Sequence, residues 1–291
     1  FSIADDGTIL WDDNAVAQLV PGRDILTPDI RVFDSDLFEG DERERILQEL
    51  RNWLKSDIEK RLAPLLKLRD PDPELRGAAR GLAWQMSEHL GALTTKSAGV
   101  NWRQLTEDDR KALARHGIRF GLDNVYMPAL LKPDAIEARA LLWCCHHGDG
   151  PALLPPEGRV SFDLADLAKR DYWRALGFAV VPHRGHAFAL RMDMLERISA
   201  IARRLGRKEA FSPSAEMASL AGVGMDEVES ILRMLGFRSQ KSDDGTTFTA
   251  TPKALGKPKP ERRRKRKQGG AEPPAAASSS PFAILQGVVG R

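Results

Sequence analysis

The feature that most constrains how this chain can fold is a segment predicted to form a helix over residues 135–147. Its later part, Ala140-Leu-Leu-Trp-Cys-Cys145, has no polar face. A helix that is apolar on every side must be surrounded by other elements, because any side left in water would expose hydrocarbon. The segment therefore predicts a central core helix, with Trp143 in the main core.

The N-terminal pattern predicts a small β element over residues 1–40 and a helical domain over 41–150. Three short strands are predicted at 7–11, 15–20 and 29–33, the second ending at Pro21-Gly22. Further predictions are a helix from Asp41 that ends or kinks near Ala63 because of Pro64, a helix with Asp72 as N-cap and Pro73 as first residue that stops at Gly91, and a short helix opened by Thr106 and Asp109. Gly77 and Gly81 are interpreted as sites of close helix packing.

A second subdomain of mixed α and β structure is predicted over residues 151–252, after a Gly- and Pro-rich loop. It contains a hairpin whose turn includes His183-Arg184-Gly185 and a helix over 193–205. Residues 212–251 give the order helix, turn, helix, hairpin, which is winged-helix-like. Residues 253–291 predict a disordered basic tail that ends in a short apolar segment. The predicted fold class is mainly α with small β elements (α+β).

The charge is concentrated at one end of the chain. The formal net charge is +3, yet residues 253–267 carry nine Lys or Arg and one Glu, so the rest of the chain is net acidic. The basic isoelectric point therefore does not identify the folded part as a polyanion binder.

Several function classes are disfavoured by the sequence. It contains neither a GxxxxGK[ST] phosphate loop nor an acidic magnesium motif, so no catalytic residue is assigned, and ATP and Mg²⁺ are not expected to be cofactors of this chain. No apolar run is long enough for a membrane span. The two cysteines are adjacent, which predicts a reducing compartment, either the bacterial cytoplasm or an organelle matrix. Cys144 and His147 share a helix face, but buried cysteines explain them better than a metal site.

The candidate nucleic-acid-binding residues form three groups. The first is the run Arg262, Arg263, Arg264, Lys265, Arg266 and Lys267, which suits any phosphate backbone and is equally compatible with a solubility or targeting tail. The second is Arg119 with Tyr126, for which core packing is the favoured alternative. The third is His183 with Arg184, for which an ordinary solvated turn is an equal alternative. Acidic residues on the second helix of the winged-helix-like segment disfavour duplex reading.

Several motifs resemble one known family. They include Arg80-Gly-Leu-Ala-Trp84, Arg119-Phe-Gly121, Pro128-Ala-Leu-Leu-Lys-Pro133, Leu141-Leu-Trp143, Ala175-Leu-Gly-Phe178 and Ser280-Pro-Phe-Ala283. In their order, these motifs resemble the region after the motor in suppressor-of-var-type superfamily-two helicases of alphaproteobacterial and mitochondrial type. The resemblance implies an accessory region that grips single-stranded RNA or DNA beside an ATP-dependent motor, with the motor domains absent from this chain.

The sequence also supports a rival hypothesis about function, and it predicts that the natural protein is longer than this chain. The rival is a protein-docking module that recruits partners through the acidic residues 1–60 or the segment Phe282-Ala-Ile-Leu285. Because the chain begins at Phe1 without an initiator Met, we expect it to be a piece of a longer protein.

Overall fold

The structure is a computed structural model that describes residues 1–33, 41–70, 72–164, 166, 169–242 and 245–255. Helices and small sheets alternate along the chain, so the fold is a mixture of α and β structure, as predicted. Residues 1–258 form one compact unit. The division of this unit at residues 40, 150 and 252 stays a prediction, and the tail beyond Leu255 lies outside the described residues.

The N-terminal sheet is a four-stranded antiparallel meander. Its strands are β1 (Ser2–Ile3), β2 (Thr8–Trp11), β3 (Asn14–Asp24) and β4 (Thr27–Val32). The predicted end of the second strand at Pro21-Gly22 is wrong, because a register shift between Val20 and Asp24 lets β3 continue past the proline. Gly22 is required there, since a Cβ atom would lie 1.9 Å from the carbonyl oxygen of Thr27.

Helix α1 (Asp41–Leu66) has the predicted kink. Leu62, two residues before Pro64, has φ −119° and ψ 20°, after which the helix resumes. The predicted start of the next helix is wrong: α2 spans Gly77–Glu88, and the Asp72 carboxylate instead accepts the Glu74 N–H at 2.7 Å in a local turn. Gly77, at φ +50°, separates this turn from the regular helix.

The segment after α2 brings a small sheet against the helices. Its elements are β5 (Ala92–Thr94), α3 (Thr95–Gln104), α4 (Glu107–Arg115), β6 (Arg119–Phe120), β7 (Asn124–Tyr126) and a 3₁₀ turn (Pro128–Leu131). The predicted capping box is confirmed, since Thr106 and Asp109 cap α4 reciprocally. A Cβ atom on Gly81 would lie 2.8 Å from the Asn101 amide, so this glycine does permit close packing, whereas Gly77 has no such neighbour.

Helix α5 (Pro133–His147) is the central helix that the sequence predicts. Its residues enter two apolar clusters, one shared with the N-terminal sheet, α1 and α2, and the other with β8, α6 and the β9–β10 hairpin. The prediction that Trp143 lies in the main core is corrected, because its side chain is only partly buried. Its indole N–H donates to Asp149 Oδ2 at 3.1 Å and its ring stacks on His147, since this end of α5 reaches the surface.

The second half of the chain contains a three-stranded antiparallel sheet, four helices and a two-stranded hairpin in its described part. The elements are β8 (Ser161–Leu164), α6 (Arg170–Ala175), β9 (Phe178–His183), β10 (His186–Arg191), α7 (Met192–Gly206), α8 (Ala215–Ala221), α9 (Met225–Met234), β11 (Arg238–Ser242) and β12 (Gly245–Thr249). The predicted β9–β10 hairpin is confirmed, with Arg184 and Gly185 at its turn. Phe211, between α7 and α8, forms an antiparallel bridge with Phe248 of β12.

Candidate functional site

An open cleft of about 630 Å³ lies where the two halves of the compact unit meet. Seven elements and one connecting segment contribute to it: β5, α3, β7, α6, β9, α7, the end of α9 and the segment after β12. Four cationic side chains line it, namely Lys96, Arg170, Arg174 and Lys253. We call this feature the cationic cleft.

Two of the four cations have acidic partners and two do not. Arg174 Nη1 lies 3.1 Å from Asp171 Oδ1, and Lys253 Nζ lies 3.3 Å from Asp123 Oδ2. Lys96 and Arg170 are exposed and form no ion pair with any residue that the structure describes. The cleft therefore contains positive charge that its own side chains do not neutralise.

One carboxylate, Glu196, lies among these cations in a protected position. It accepts the Leu122 N–H at 3.2 Å, and Arg203 Nη2 is 3.9 Å from its second oxygen. Burial raises the pKa of Glu196 despite these contacts. The Glu196 carboxylate is therefore protonated more readily than an exposed glutamate is.

The neutral lining has a polar and an apolar part. Thr94 Oγ1 accepts the Ser97 N–H at 3.0 Å, so the start of α3 is already capped by its own side chain. Asn124, which pairs with Thr94 in the β5–β7 ladder, is only 7% exposed, and its amide forms no hydrogen bond with any described residue. The apolar part consists of Ala179, Val180, Leu195, Met234 and Leu235.

The two predicted residues Arg119 and Tyr126 are brought together as register partners in the β6–β7 ladder. Arg119 is exposed, but Tyr126 lies in the core, as the alternative interpretation had it. Burial, reinforced by the nearby carboxylate of Glu196, raises the pKa of Tyr126 to about 12. Its ring is therefore a packing group, and only Arg119 of this pair faces solvent.

The other predicted pair, His183 and Arg184, is engaged with helix α9 and does not line the cationic cleft. His183 is buried, with Nδ1 2.9 Å from Ser230 Oγ and Nε2 3.7 Å from Glu227 Oε1. Arg184 forms an ion pair with Asp226 at 2.9 Å. The solvated-turn alternative is therefore wrong for His183, and the acidic side chains of α9 hold the hairpin in place.

The run Arg262–Lys267 lies outside the described residues, so the structure places none of these six cations. The sequence reasoning missed Lys96, Arg170 and Asn124. No local signal marks them, because the cleft is assembled from residues between 94 and 253.

The described residues provide neither a cluster of metal ligands nor an activated thiol. Among the described residues, no three His, Cys, Asp or Glu side chains are grouped so as to hold a metal ion. Burial raises the pKa of both Cys144 and Cys145, the latter to about 11, so both are protonated thiols at neutral pH. In the same described part of the chain, no helix combines the length and apolarity that crossing a membrane requires.

Comparisons with protein-family models, with curated proteins and with solved structures found no match for this chain.

Proposed function

We propose that this chain binds single-stranded nucleic acid by its phosphate backbone in the cationic cleft, as the accessory C-terminal region of an ATP-dependent RNA or DNA helicase. The observation that carries the proposal is the pair of unneutralised cations, Lys96 and Arg170, at the cleft. Bringing a phosphate between two such cations gains Coulomb energy and releases condensed counterions. The motor domains that would hydrolyse ATP are not part of this chain.

An unpaired strand fits the cleft better than a duplex does. The cleft combines cations with an apolar wall, and the bases of a single strand can leave the stack and contact such a wall. In a duplex the base faces are hidden by stacking. Binding of RNA and of DNA strands is compared in the test.

We also propose that residues 212–251 form a winged-helix-like module that serves packing and not duplex reading. The order α8, turn, α9, hairpin supports this, and the Phe211–Phe248 bridge joins the segment before α8 to the last strand. In a winged helix that reads DNA, the equivalent of α9 enters the major groove. Here α9 carries Asp226, Glu227 and Glu229, whose charges would be repelled by phosphates.

The helicase context rests on the sequence resemblance, and the basic run adds a second source of affinity. The resemblance covers most of residues 1–250, and the region it points to lies beside a motor that moves along a strand. The run Arg262–Lys267 supplies six further cations without sequence preference.

The test compares charge-matched double variants of the full chain in which Arg262–Lys267 has been replaced by Gly and Ser. Removing Lys96 and Arg170 (both to Ser) should weaken binding of a short single strand and flatten the log–log salt slope by about 1.4, at roughly 0.7 per lost phosphate contact. Removing Arg31 and Lys67 (both to Ser), two exposed cations outside the cleft, is the control. Equal binding by the two double variants would refute the proposal, as would an ATP-dependent change in affinity.

A protein-docking function is the second candidate, favoured by an exposed aromatic cluster on the N-terminal sheet. Phe1 and Trp11 are each 47% exposed, and the Phe1 ring lies 5.4 Å from that of Trp53. Exposed clusters of large apolar rings are typical of protein contact sites. Loss of all nucleic-acid binding in residues 1–258, the compact unit without the basic run, would favour docking.

A further inference from the structure

The amide of Asn124 is the least explained polar group in the cationic cleft. The residue is only 7% exposed, lines the cleft, and its amide has no hydrogen-bond partner in the described parts of the chain. The amide atoms are not among the fully buried polar atoms, so the small exposed part of the residue includes the amide. Because no protein group competes for it, this amide is available to hydrogen-bond a ligand in the cleft.

The surroundings of Asn124 specify the shape and polarity of that ligand. The lining of the cleft combines the cations Lys96 and Arg170 with apolar residues that include Val180, Leu195 and Leu235, each of them mostly buried. A ligand that contacts the cations, the apolar residues and the Asn124 amide must combine an anionic group, a flat or apolar body and an edge with hydrogen-bonding groups. A nucleotide has this combination in its phosphate, the faces of its base and the edge of its base.

We infer that the cationic cleft takes one unstacked nucleotide, with the base against the apolar wall and its edge hydrogen-bonded to the Asn124 amide. The inference rests on the proposed function and makes Asn124 the base-reading residue of that site. An amide offers one acceptor and one donor side by side, which is how Asn pairs with a base edge that presents a donor beside an acceptor. The cations hold the phosphate and carry no base information.

The position of Asn124 in the fold supports this reading role. Asn124 begins β7 and pairs with Thr94, and both strands belong to a three-stranded sheet. The neighbouring Val125 is fully buried in the apolar cluster shared with α1 and α2. The amide is therefore held by a strand anchored on both sides, which is the rigidity that discrimination between ligands requires.

The experiment separates base reading from phosphate binding. Isothermal titration measures the affinity of the full chain, with Arg262–Lys267 replaced by Gly and Ser, for a hexaadenylate, a hexauridylate and an abasic ribose-phosphate hexamer. We expect at least one intact hexamer to bind on the order of tenfold more tightly than the abasic one, the range of a single base contact. Asn124→Leu should abolish most of this ratio and leave the abasic affinity unchanged.

Two further variants guard against a trivial result. Asn124→Asp keeps the shape of the side chain but replaces its donor with a carboxylate oxygen, so it should lower the ratio, and its unfolding midpoint is measured to show that the variant is folded at the assay temperature. Asn52→Leu makes the same exchange at an exposed position of α1 and should leave the ratio at the wild-type value. An unchanged ratio in both Asn124 variants would overturn the inference.

The outcomes distinguish the inference from the proposed function. Equal affinity of the wild-type protein for intact and abasic hexamers would overturn base reading and leave backbone binding in place. Adenosine monophosphate is the third ligand to be tested. It could bind as tightly as the hexaadenylate and be bound more weakly by Asn124→Leu. In that case Asn124 reads the base, but the occupant is a free nucleotide and the proposal of strand binding is wrong.

Discussion

Replacing Arg139 with Met should destabilise the protein more than any surface substitution. Arg139 is fully buried on α5 and has no carboxylate partner among the described residues. Its guanidinium instead donates to backbone carbonyls: Nε to Ala135 at 3.2 Å, Nη1 to Leu90 at 3.3 Å and Ala175 at 2.8 Å, and Nη2 to Leu176 at 3.0 Å and to Leu130. Burial lowers the pKa of Arg139 to about 9, so the group remains a cation at neutral pH.

The size of the expected destabilisation follows from the backbone carbonyls that lose their hydrogen-bond donor when Arg139 is replaced. Four of the five acceptors lie outside α5 and would lose the donor, and a buried acceptor without a partner costs about 1–3 kcal/mol. Part of this is offset, because the substitution also removes a buried charge and adds apolar surface. We expect a net loss of about 3–5 kcal/mol for Arg139→Met. The loss should be smaller for Arg139→Lys, whose ammonium has three donors.

Urea denaturation of the full chain, followed by circular dichroism, measures this loss. Arg80→Met is the matched control, since Arg80 also donates to three carbonyls, those of Leu68, Arg69 and Asp70, but at a partly exposed position where water can replace it. The control should lose about 1 kcal/mol. If Arg139→Met loses no more than Arg80→Met, the carbonyl contacts of Arg139 do not stabilise the fold as argued.

Three further outcomes are expected. Because burial raises the pKa of Glu196, its protonation as the pH falls below neutral should strengthen strand binding. Glu196→Gln should bind more tightly at pH 7 and lose this pH dependence, measured by titration at fixed ionic strength. Trp143→Ala should lower the free energy of unfolding by about 1–3 kcal/mol, less than for a fully buried Trp, and a loss above 4 kcal/mol would contradict its partly buried position. Gly91→Ala should cost at least about 2 kcal/mol in urea unfolding, because φ is +87° and the new Cβ would lie 2.2 Å from Leu130 Cδ1. Gly150→Ala, with φ +72° and no neighbour within 4 Å, should cost only the backbone strain of about 1 kcal/mol.

Elements with a complete local signal were predictable from the sequence. The capping box at Thr106, the kink before Pro64 and the β9–β10 hairpin depend on residues a few positions apart, and all three are present. The predicted start of α2 was wrong because an Asp can act as a helix N-cap or accept a backbone N–H in a turn. The local sequence around Asp72 is compatible with both, and in the structure it forms the turn.

The site was less predictable, because its residues become neighbours only through tertiary packing. Lys96 and Arg170 look like ordinary solvated charges in the sequence, and Asn124 looks like a turn residue. Arg139 is the converse case, since a single Arg in an apolar segment gives no sign that carbonyls from three other segments surround it. His183 likewise reads as part of an exposed turn, although Ser230 and Glu227 enclose it from α9.

The sharing of α5 between two apolar clusters has a consequence for how the protein comes apart. A helix whose opposite faces belong to different cores cannot be released from one core while it stays packed in the other. The amides of α5 should therefore exchange with solvent only when both cores open together. A chain cut within the loop that follows Gly148 should yield two pieces that each lack part of an interior and bind one another tightly, so that they behave as a complemented pair and not as two folded fragments.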